Sequence, residues 1–181
     1  MKKSVVVIGP SDKTKPSRYG SISDYEKWIA ETVTVLRKHF QRVYFIPDKG
    51  TYVDLAVAFA GKDHEIIAVI PEKSDEYIQW AERYTSNYQV VEGGEGWTFL
   101  NSHIIGMADK VICLGYSAGS VLEMCSAKYM AIYNKRTIKI YIDNRAISTK
   151  LPAELHEESI HISYYKDSNE LEALLSHEKH E

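Results

Sequence analysis

The sequence predicts an α/β fold: a single-domain, doubly wound, mostly parallel sheet with helices on both faces. Short β-branched runs without polar alternation alternate along the chain with longer segments of helical period, which is typical of βαβ units. Connections between parallel strands are right-handed, so successive units add to one layered sheet. The predicted strands are 4–8, 43–46, 66–70, 88–91, 111–114, 137–142 and 160–164.

The first predicted unit places a basic loop at the carboxyl end of its strand. Residues 4–8 are a β-branched run suited to a parallel strand covered on both faces, and Gly9-Pro10-Ser11 ends it. A Ser-x-x-Glu capping box predicts helix 23–40. Loop 11–20 contains two lysines and Arg18. These cations are candidate phosphate contacts because open α/β sheets bind ligands at this edge; the alternative is a solvated lysine-rich loop.

The later elements follow the same period. A glycine-rich loop at 92–96 allows either a sharp turn or the close approach of a ligand. Strand 160–164 alternates between apolar and polar residues, as a half-exposed edge strand does. Apolar residues at three- and four-residue steps predict helices at 23–40, 51–60, 74–84, 97–107, 120–134 and 167–175.

Length and charge favour a small cytoplasmic protein. The 181 residues suit one domain, predicted at 1–175, followed by a charged flexible tail at 176–181. A net charge of -3 offers no broad basic surface, so we predict no nucleic-acid partner. No apolar run is long enough to span a bilayer and no signal-peptide pattern is present, so we predict no membrane partner and a cytoplasmic location.

Several common site motifs are missing from the sequence. The two cysteines and seven histidines have no metal-ligand spacing, and we predict neither a metal nor a cofactor. The dinucleotide fingerprint G-x-G-x-x-G does not follow the first strand. The hydrolase elbow G-x-S-x-G and the P-loop are also absent, which excludes those two classes of enzyme.

The stretch Asp109 to Glu123 is the centre of the functional interpretation. A four-residue apolar strand runs into a turn of small residues and then into a helix, whose start presents unpaired backbone amides and a positive dipole. The turn is therefore a candidate phosphate cradle, and Glu123 follows one helical turn later. The alternative is structural, because Ser120 and Glu123 also match the S-x-x-E capping box.

The central motif resembles a known superfamily. Together with Gly9-Pro10-Ser11 and the small-residue helix 54–61, the run Ala108 to Glu123 looks like the Rossmann-like, SLOG/LOG-like proteins that include cytokinin-activating phosphoribohydrolases, a group long labelled "lysine decarboxylase-like". That family carries P-G-G-x-G-T-x-x-E, to which Gly115, Gly119 and Glu123 correspond, with Ser120 in place of the threonine. The resemblance implies a nucleoside 5′-monophosphate ligand, phosphate on the helix start, the glutamate near the ribose and often a homodimer.

The chain also departs from that pattern. Active members carry an Arg-Lys pair on the helix before the central strand, and the matching segment 97–103 contains no arginine. Arg18 or Arg145 from another loop could replace it. Without such a cation the nucleotide is less well oriented and the charge of the breaking bond is less stabilised, which favours a non-catalytic carrier as the alternative to an enzyme.

The sequence therefore predicts a nucleotide-binding protein that cleaves or exchanges the N-glycosidic bond of a nucleoside 5′-monophosphate or nucleoside, in the manner of a phosphoribohydrolase or a nucleoside deoxyribosyltransferase. The alternative is a sensor or carrier of a nucleotide-derived ligand. The expected partners are a small-molecule nucleotide or nucleoside and a second copy of the chain. Glu123 is the candidate catalytic residue. The candidate phosphate- and nucleotide-binding residues are Gly9, Pro10, Ser11, Arg18, Gly115, Tyr116, Ser117, Ala118, Gly119 and Ser120.

Overall fold

The computed structural model describes residues 2–12, 20–91, 93–94, 96–155 and 158–177. These residues form one seven-stranded, all-parallel sheet in the order β4-β3-β2-β1-β5-β6-β7. The predicted α/β class and parallel sheet are confirmed. The strands are β1 (Ser4–Ile8), β2 (Arg42–Phe45), β3 (Glu65–Ile70), β4 (Tyr88–Val90), β5 (Lys110–Cys113), β6 (Ile138–Asp143) and β7 (Ile160–Tyr165).

Helices cover both faces of the sheet. Helix α1 packs against α2 and α6, and α4 packs against α5. Strands β2, β1 and β5 lie in the centre, and nearly all their side chains are buried, which is why these strands appear in the sequence as apolar runs. The helices are α1 (Ile22–His39), α2 (Thr51–Phe59), α3 (Asp75–Glu82), α4 (Gly96–His103), α5 (Ala118–Asn134) and α6 (Ser168–His177).

The cap of α1 differs from the prediction. The predicted box at Ser23 and Glu26 is wrong, because the N-cap is Ser21, whose Oγ accepts a hydrogen bond from the Asp24 amide at 3.2 Å. Asp24 returns the contact by accepting from the Ser21 amide at 3.1 Å. The pairs Ser21–Asp24 and Ser23–Glu26 both have the spacing of a capping box. Gly20 turns the chain at a φ of 71°, and the pair directly after this turn, Ser21–Asp24, forms the box.

Helices α4 and α6 also end at different places from those predicted. The predicted helix 97–107 stops at His103, and Ile104–Gly106 form a 3₁₀ turn. Helix α6 extends two residues past the predicted end, to His177, and residues 178–181 lie outside the described chain. Its predicted cap is present, since the Glu170 amide donates to Asp167 Oδ1 at 2.9 Å.

The strand order reverses between β1 and β5, which is the feature that positions the site. These two strands pair in parallel with Ile8 opposite Cys113, although more than one hundred residues separate them in the chain. The Leu114 amide continues the pairing by donating to the Ile8 carbonyl at 2.9 Å. Connections leave β1 and β5 in opposite directions, so a crevice opens outside their carboxyl ends, where open α/β sheets bind ligands.

Candidate functional site

A cleft of about 460 Å³ occupies the crevice at this reversal point. The loop after β1 contributes Gly9 and Ser11, and the start of α5 contributes residues 117–120 and Glu123. The loop after β1 and the start of α5, which are far apart in the sequence, therefore meet in one cavity. Of the predicted site residues in the described chain, Gly9, Ser11, Ser117, Ala118, Gly119, Ser120 and Glu123 line the cleft, whereas Pro10, Gly115 and Tyr116 do not. Arg18 lies outside the described residues.

A capping box shapes the start of α5. Ser117 is the N-cap, and its Oγ accepts from the Ser120 amide at 3.1 Å while Ser120 Oγ accepts from the Ser117 amide at 2.7 Å. The amides of Ala118 and Gly119, one and two residues into the helix, have no acceptor within the helix. Both residues line the cleft, so the positive end of the macrodipole points at the cavity.

Glu123 is not part of the cap, and the capping box proposed for Ser120 and Glu123 is wrong. Ser120 is already the third residue of the helix, and Glu123 lies in the second turn with 5% of its surface exposed. Its Oε2 is buried and has no hydrogen-bond partner among the described residues. Burial raises the pKa of this carboxyl to about 8. An unpaired, buried carboxyl is costly for folding, and such groups concentrate at functional sites.

Close backbone packing holds the two loops in place. Gly115 has a φ of 123°, and a Cβ there would lie 3.2 Å from the Ala146 carbonyl oxygen. Gly50, at a φ of 116°, approaches the loop after β1 so closely that a Cβ would lie 2.3 Å from the Pro10 oxygen. Pro10 and Gly115 therefore support the cleft from behind without lining it.

The side of the cleft opposite α5 carries a second carboxyl. Asp48 follows β2, and Tyr52 lies in the first turn of α2. Burial raises the pKa of Tyr52, and the nearby carboxyls of Asp48 and Glu123 raise it further. Burial also raises the pKa of Asp48, while the charge of Lys49 acts in the opposite direction. The Tyr52 hydroxyl is therefore close enough to both carboxyls for their charge to raise its pKa.

Two tryptophans and Tyr52 form the aromatic part of the lining. Trp80 of α3 and Trp97 of α4 have ring centroids 5.3 Å apart with planes inclined by 40°. Tyr77 packs edge-on against Trp97 at 5.1 Å and fixes its ring. A planar heterocycle stacks favourably on such rings.

The described lining contains two carboxyls and no lysine or arginine. Asn101 stands on α4, in the segment where the resembling family carries its arginine, and its Nδ2 lies 3.9 Å from the place a Cβ on residue 119 would take. Arg145 is committed elsewhere, because its guanidinium donates to both oxygens of the fully buried Asp143 at 2.8 and 3.0 Å. It therefore does not replace the missing arginine.

Sequence reasoning missed Asp48, Tyr52, Trp80, Trp97 and Asn101. Trp97 and Asn101 belong to the segment 97–103, which the sequence analysis noted because it lacks an arginine. The helical spacing of Trp97 indicated a packing role. One signal in the sequence pointed to Asp48, its position in the turn 47–50 that closes a predicted strand. The other residues belong to helices whose approach to the cleft depends on the strand order.

Two structural absences concern the described residues. Within them no group of three His, Cys, Asp or Glu side chains could hold a metal ion. No helix in the same part of the chain is long and apolar enough to cross a membrane.

Comparisons with solved structures place the fold among Rossmann-like proteins. TM1055, a structural genomics target, superposes with a TM-score of 0.71 at 14% identity, covering 97% of this chain and 99% of its own. The molybdenum cofactor carrier protein of Chlamydomonas reinhardtii gives 0.64 at 13% identity and full coverage of both chains. DNA processing protein A of Helicobacter pylori, which binds single-stranded DNA, gives 0.56 at 14% identity, covering 98% of this chain and 81% of its own.

The chain shares its fold with these proteins. No protein-family profile matches it, and no curated protein matches it in sequence. The resemblance to the phosphoribohydrolase family therefore rests on the three sequence segments named above, of which only the central motif is specific. At such low identities a shared fold fixes neither ligand nor reaction, since one architecture here accompanies a cofactor carrier and a DNA-binding protein.

Proposed function

We propose that this protein binds a small phosphorylated heterocycle of the nucleoside 5′-monophosphate type in the cleft between β1 and β5. The observation that carries the proposal is the pairing of the open helix start at Ala118 and Gly119 with the buried, unpartnered carboxyl of Glu123 in one cavity. The phosphate accepts from the two amides at the start of α5. The ribose lies over Glu123, and the ring stacks on Trp80 and Trp97.

Size and charge agree with this assignment. A cavity of about 460 Å³ falls in the ordinary range for small-molecule sites. The described lining holds no cation, so helix amides supply its positive potential. Further positive charge comes in this proposal from Arg18, Lys13 and Lys15, which lie outside the described residues and follow Ser11 in the sequence.

Gly119→Asp tests the phosphate position. The aspartate occupies the second position of α5, where acidic residues stabilise a helix, and an added Cβ meets nothing nearer than 3.7 Å. We expect the melting temperature to stay the same or rise, while the affinity for AMP or GMP falls at least about tenfold because the carboxylate repels the phosphate. Calorimetric titration and thermal shift measure the two effects.

The matched control is Ser23→Asp, which adds the same charge at the second position of α1, where the side chain is exposed and does not line the cleft. It should leave nucleotide affinity unchanged. Equal loss in both variants would assign the effect to net charge, and wild-type protein that binds no nucleotide at all would reject the proposed function.

A second candidate function is cleavage of the N-glycosidic bond of the bound nucleotide. The specific observation is Glu123, a buried carboxyl whose pKa is raised to about 8 by its burial. Cleavage passes through a ribose with positive charge at its anomeric carbon, and a carboxylate below the ring stabilises that charge, orients water or acts as nucleophile. The carrier alternative keeps the same pose and leaves the ligand intact. Chromatography of a bound nucleotide for released base separates them.

We further propose that the protein forms a homodimer through α5. Its exposed residues Ala118, Leu122, Cys125, Tyr129 and Ile132 recur at alternating steps of four and three, which is the period of a helix seam, and none is charged. Tyr129, Ile132 and the adjoining Tyr133 are 71%, 61% and 81% exposed. Two copies would bury roughly 900 Å² from these large side chains, near the ~1,000 Å² of a specific interface.

Tyr129→Lys combined with Tyr133→Lys is expected to convert the dimer to a monomer, because two like-charged pairs would meet in an apolar seam. Both side chains are exposed, so the fold should persist. Light scattering on a sizing column measures the mass. Ile22→Lys, which removes an 80% exposed apolar residue from α1, should leave the mass of the wild type. A monomeric wild type would contradict this proposal.

A further inference from the structure

We propose that the cleft selects a ring whose edge presents two adjacent N–H donors, the ring N–H and the neighbouring 2-amino group found in guanine and in pterins, and that the Asp48 carboxylate accepts from both. The inference rests on the proposed function and deepens it by naming the class of ring. Nothing in the central motif points to Asp48, which follows β2 on the opposite side of β1 from α5.

The order of groups along the cleft fixes which part of the ligand reaches Asp48. The start of α5 follows β5, and Asp48 follows β2, with β1 between them. Two strand spacings of about 4.8 Å separate these ends, a span comparable to the length of a nucleoside monophosphate. With phosphate on the amides of α5 and ribose over Glu123 and Tyr52, the base edge arrives at Asp48.

Trp80 approaches from the same side of the cleft as Asp48, because α3 follows β3 and β3 is the neighbour of β2 in the sheet. Tyr84, two residues past the end of α3 and four past Trp80, donates its hydroxyl proton to the Asp48 carbonyl at 2.8 Å. This contact ties the end of α3 to the residue after β2. A ring stacked on Trp80 and Trp97 therefore lies beside the Asp48 carboxyl.

The Asp48 carboxyl is unpaired among the described residues. Its backbone amide donates to the Ile46 carbonyl, and its own carbonyl accepts from the Tyr84 hydroxyl. Among the described residues no hydrogen bond or salt bridge involves its side chain. The residue is only partly exposed and lines the cleft. A carboxylate only accepts, through two oxygens side by side, and the partner that satisfies both in one plane is a pair of parallel N–H donors.

Other bases fit this acceptor less well. Adenine presents one amino group beside a ring nitrogen that itself accepts, so one carboxylate oxygen would face a lone pair. Hypoxanthine offers the ring N–H alone. Guanine and pterin rings offer the ring N–H and the amino group together. The affinity of a nucleotide should therefore increase with the number of N–H donors on this edge of its base.

The experiment is calorimetric titration of the full chain at constant salt and pH with GMP, IMP, AMP, XMP, dGMP and dihydroneopterin monophosphate. Wild type should bind GMP about 10- to 100-fold more tightly than AMP, with IMP between them. Asp48→Asn should weaken GMP by a similar factor and strengthen XMP, because an amide offers one donor and one acceptor, which match the oxo group and N–H of xanthine.

The remaining ligands separate the sources and the alternatives. Dihydroneopterin monophosphate should also bind more weakly to Asp48→Asn than to wild type. Whichever of this ligand and GMP binds wild type with the higher affinity identifies the source of the ring. The 2′-deoxy ligand dGMP should bind like GMP. If dGMP instead binds at least tenfold more weakly and Asp48→Asn removes that difference, Asp48 reads the sugar and the inference is overturned.

Asp75→Asn is the matched control, since this exposed residue begins α3 and does not line the cleft. It should change no affinity, and melting curves should show all variants folded. Equal affinity for all bases, with Gly119→Asp still weakening each of them, would reject the role of Asp48 while leaving the proposed function standing. Absence of binding by every phosphate, including inorganic phosphate, would reject both.

Discussion

Glu123→Gln is expected to lower the rate of base release from a bound nucleotide by about 100-fold or more while leaving nucleotide affinity within a few fold. The amide keeps the shape of the carboxyl and fills the same buried position, but it cannot stabilise positive charge on the ribose. Single-turnover chromatography of free base measures the rate. Glu82→Gln, an exposed change on α3 outside the cleft, should retain the wild-type rate.

The pH dependence of this reaction follows from the same residue. Burial raises the pKa of Glu123 to about 8 in the free protein, so the carboxylate form required for charge stabilisation is the minor form at pH 7. We expect kcat/KM to rise as pH increases through about 8 and then to level off. A profile that falls across this range would contradict the carboxylate role. A nucleotide that binds and survives intact would establish the carrier alternative.

Stability should depend on pH in the opposite sense. Because the pKa of Glu123 is higher in the folded than in the unfolded chain, its contribution to stability is complete below the unfolded pKa and is lost as pH rises to about 8. Urea unfolding should therefore show wild type losing on the order of 2–4 kcal/mol from this group between about pH 5 and pH 9. Glu123→Gln should remove that loss.

Gly50→Ala is expected to lower the free energy of unfolding by about 3 kcal/mol or more and to weaken nucleotide binding at the same time. The glycine has a φ of 116°, and its added Cβ would lie 2.3 Å from the Pro10 oxygen and 2.6 Å from Ser11 Cα. These are backbone atoms that cannot turn aside, so the loop after β1 must move. That movement displaces the wall of the cleft.

The control for Gly50 is Gly96→Ala at the start of α4. Gly96 also has a positive φ, of 75°, but a Cβ there meets nothing within 4 Å. It should cost only the backbone penalty of about 1 kcal/mol. Urea unfolding and nucleotide titration of the two variants separate the cost of a positive φ at alanine from the cost of the steric clash between the added Cβ and the Pro10 backbone. Similar losses in both would show that the contact with Pro10 contributes nothing.

The sequence by itself determined the fold class and one half of the site. Period-2 and period-3.6 patterns are local, and most strands and helices of the described residues could be placed along the chain because they bury an apolar face of their own. Small residues after β1 and β5 marked the two loops that line the cleft. Both features depend on neighbours within a few residues, which sequence patterns record directly.

Only the tertiary structure decided the role of Glu123 and the rest of the lining. Two pairs have the spacing of a capping box at the start of α5, Ser117 with Ser120 and Ser120 with Glu123. The first pair forms the cap, so Glu123 lies one turn inside the helix and is buried in the cleft. Asp48, Tyr52 and the two tryptophans reach that cavity only because the strand order reverses between β1 and β5. Strand order depends on contacts between residues far apart in the chain, and no local period encodes it.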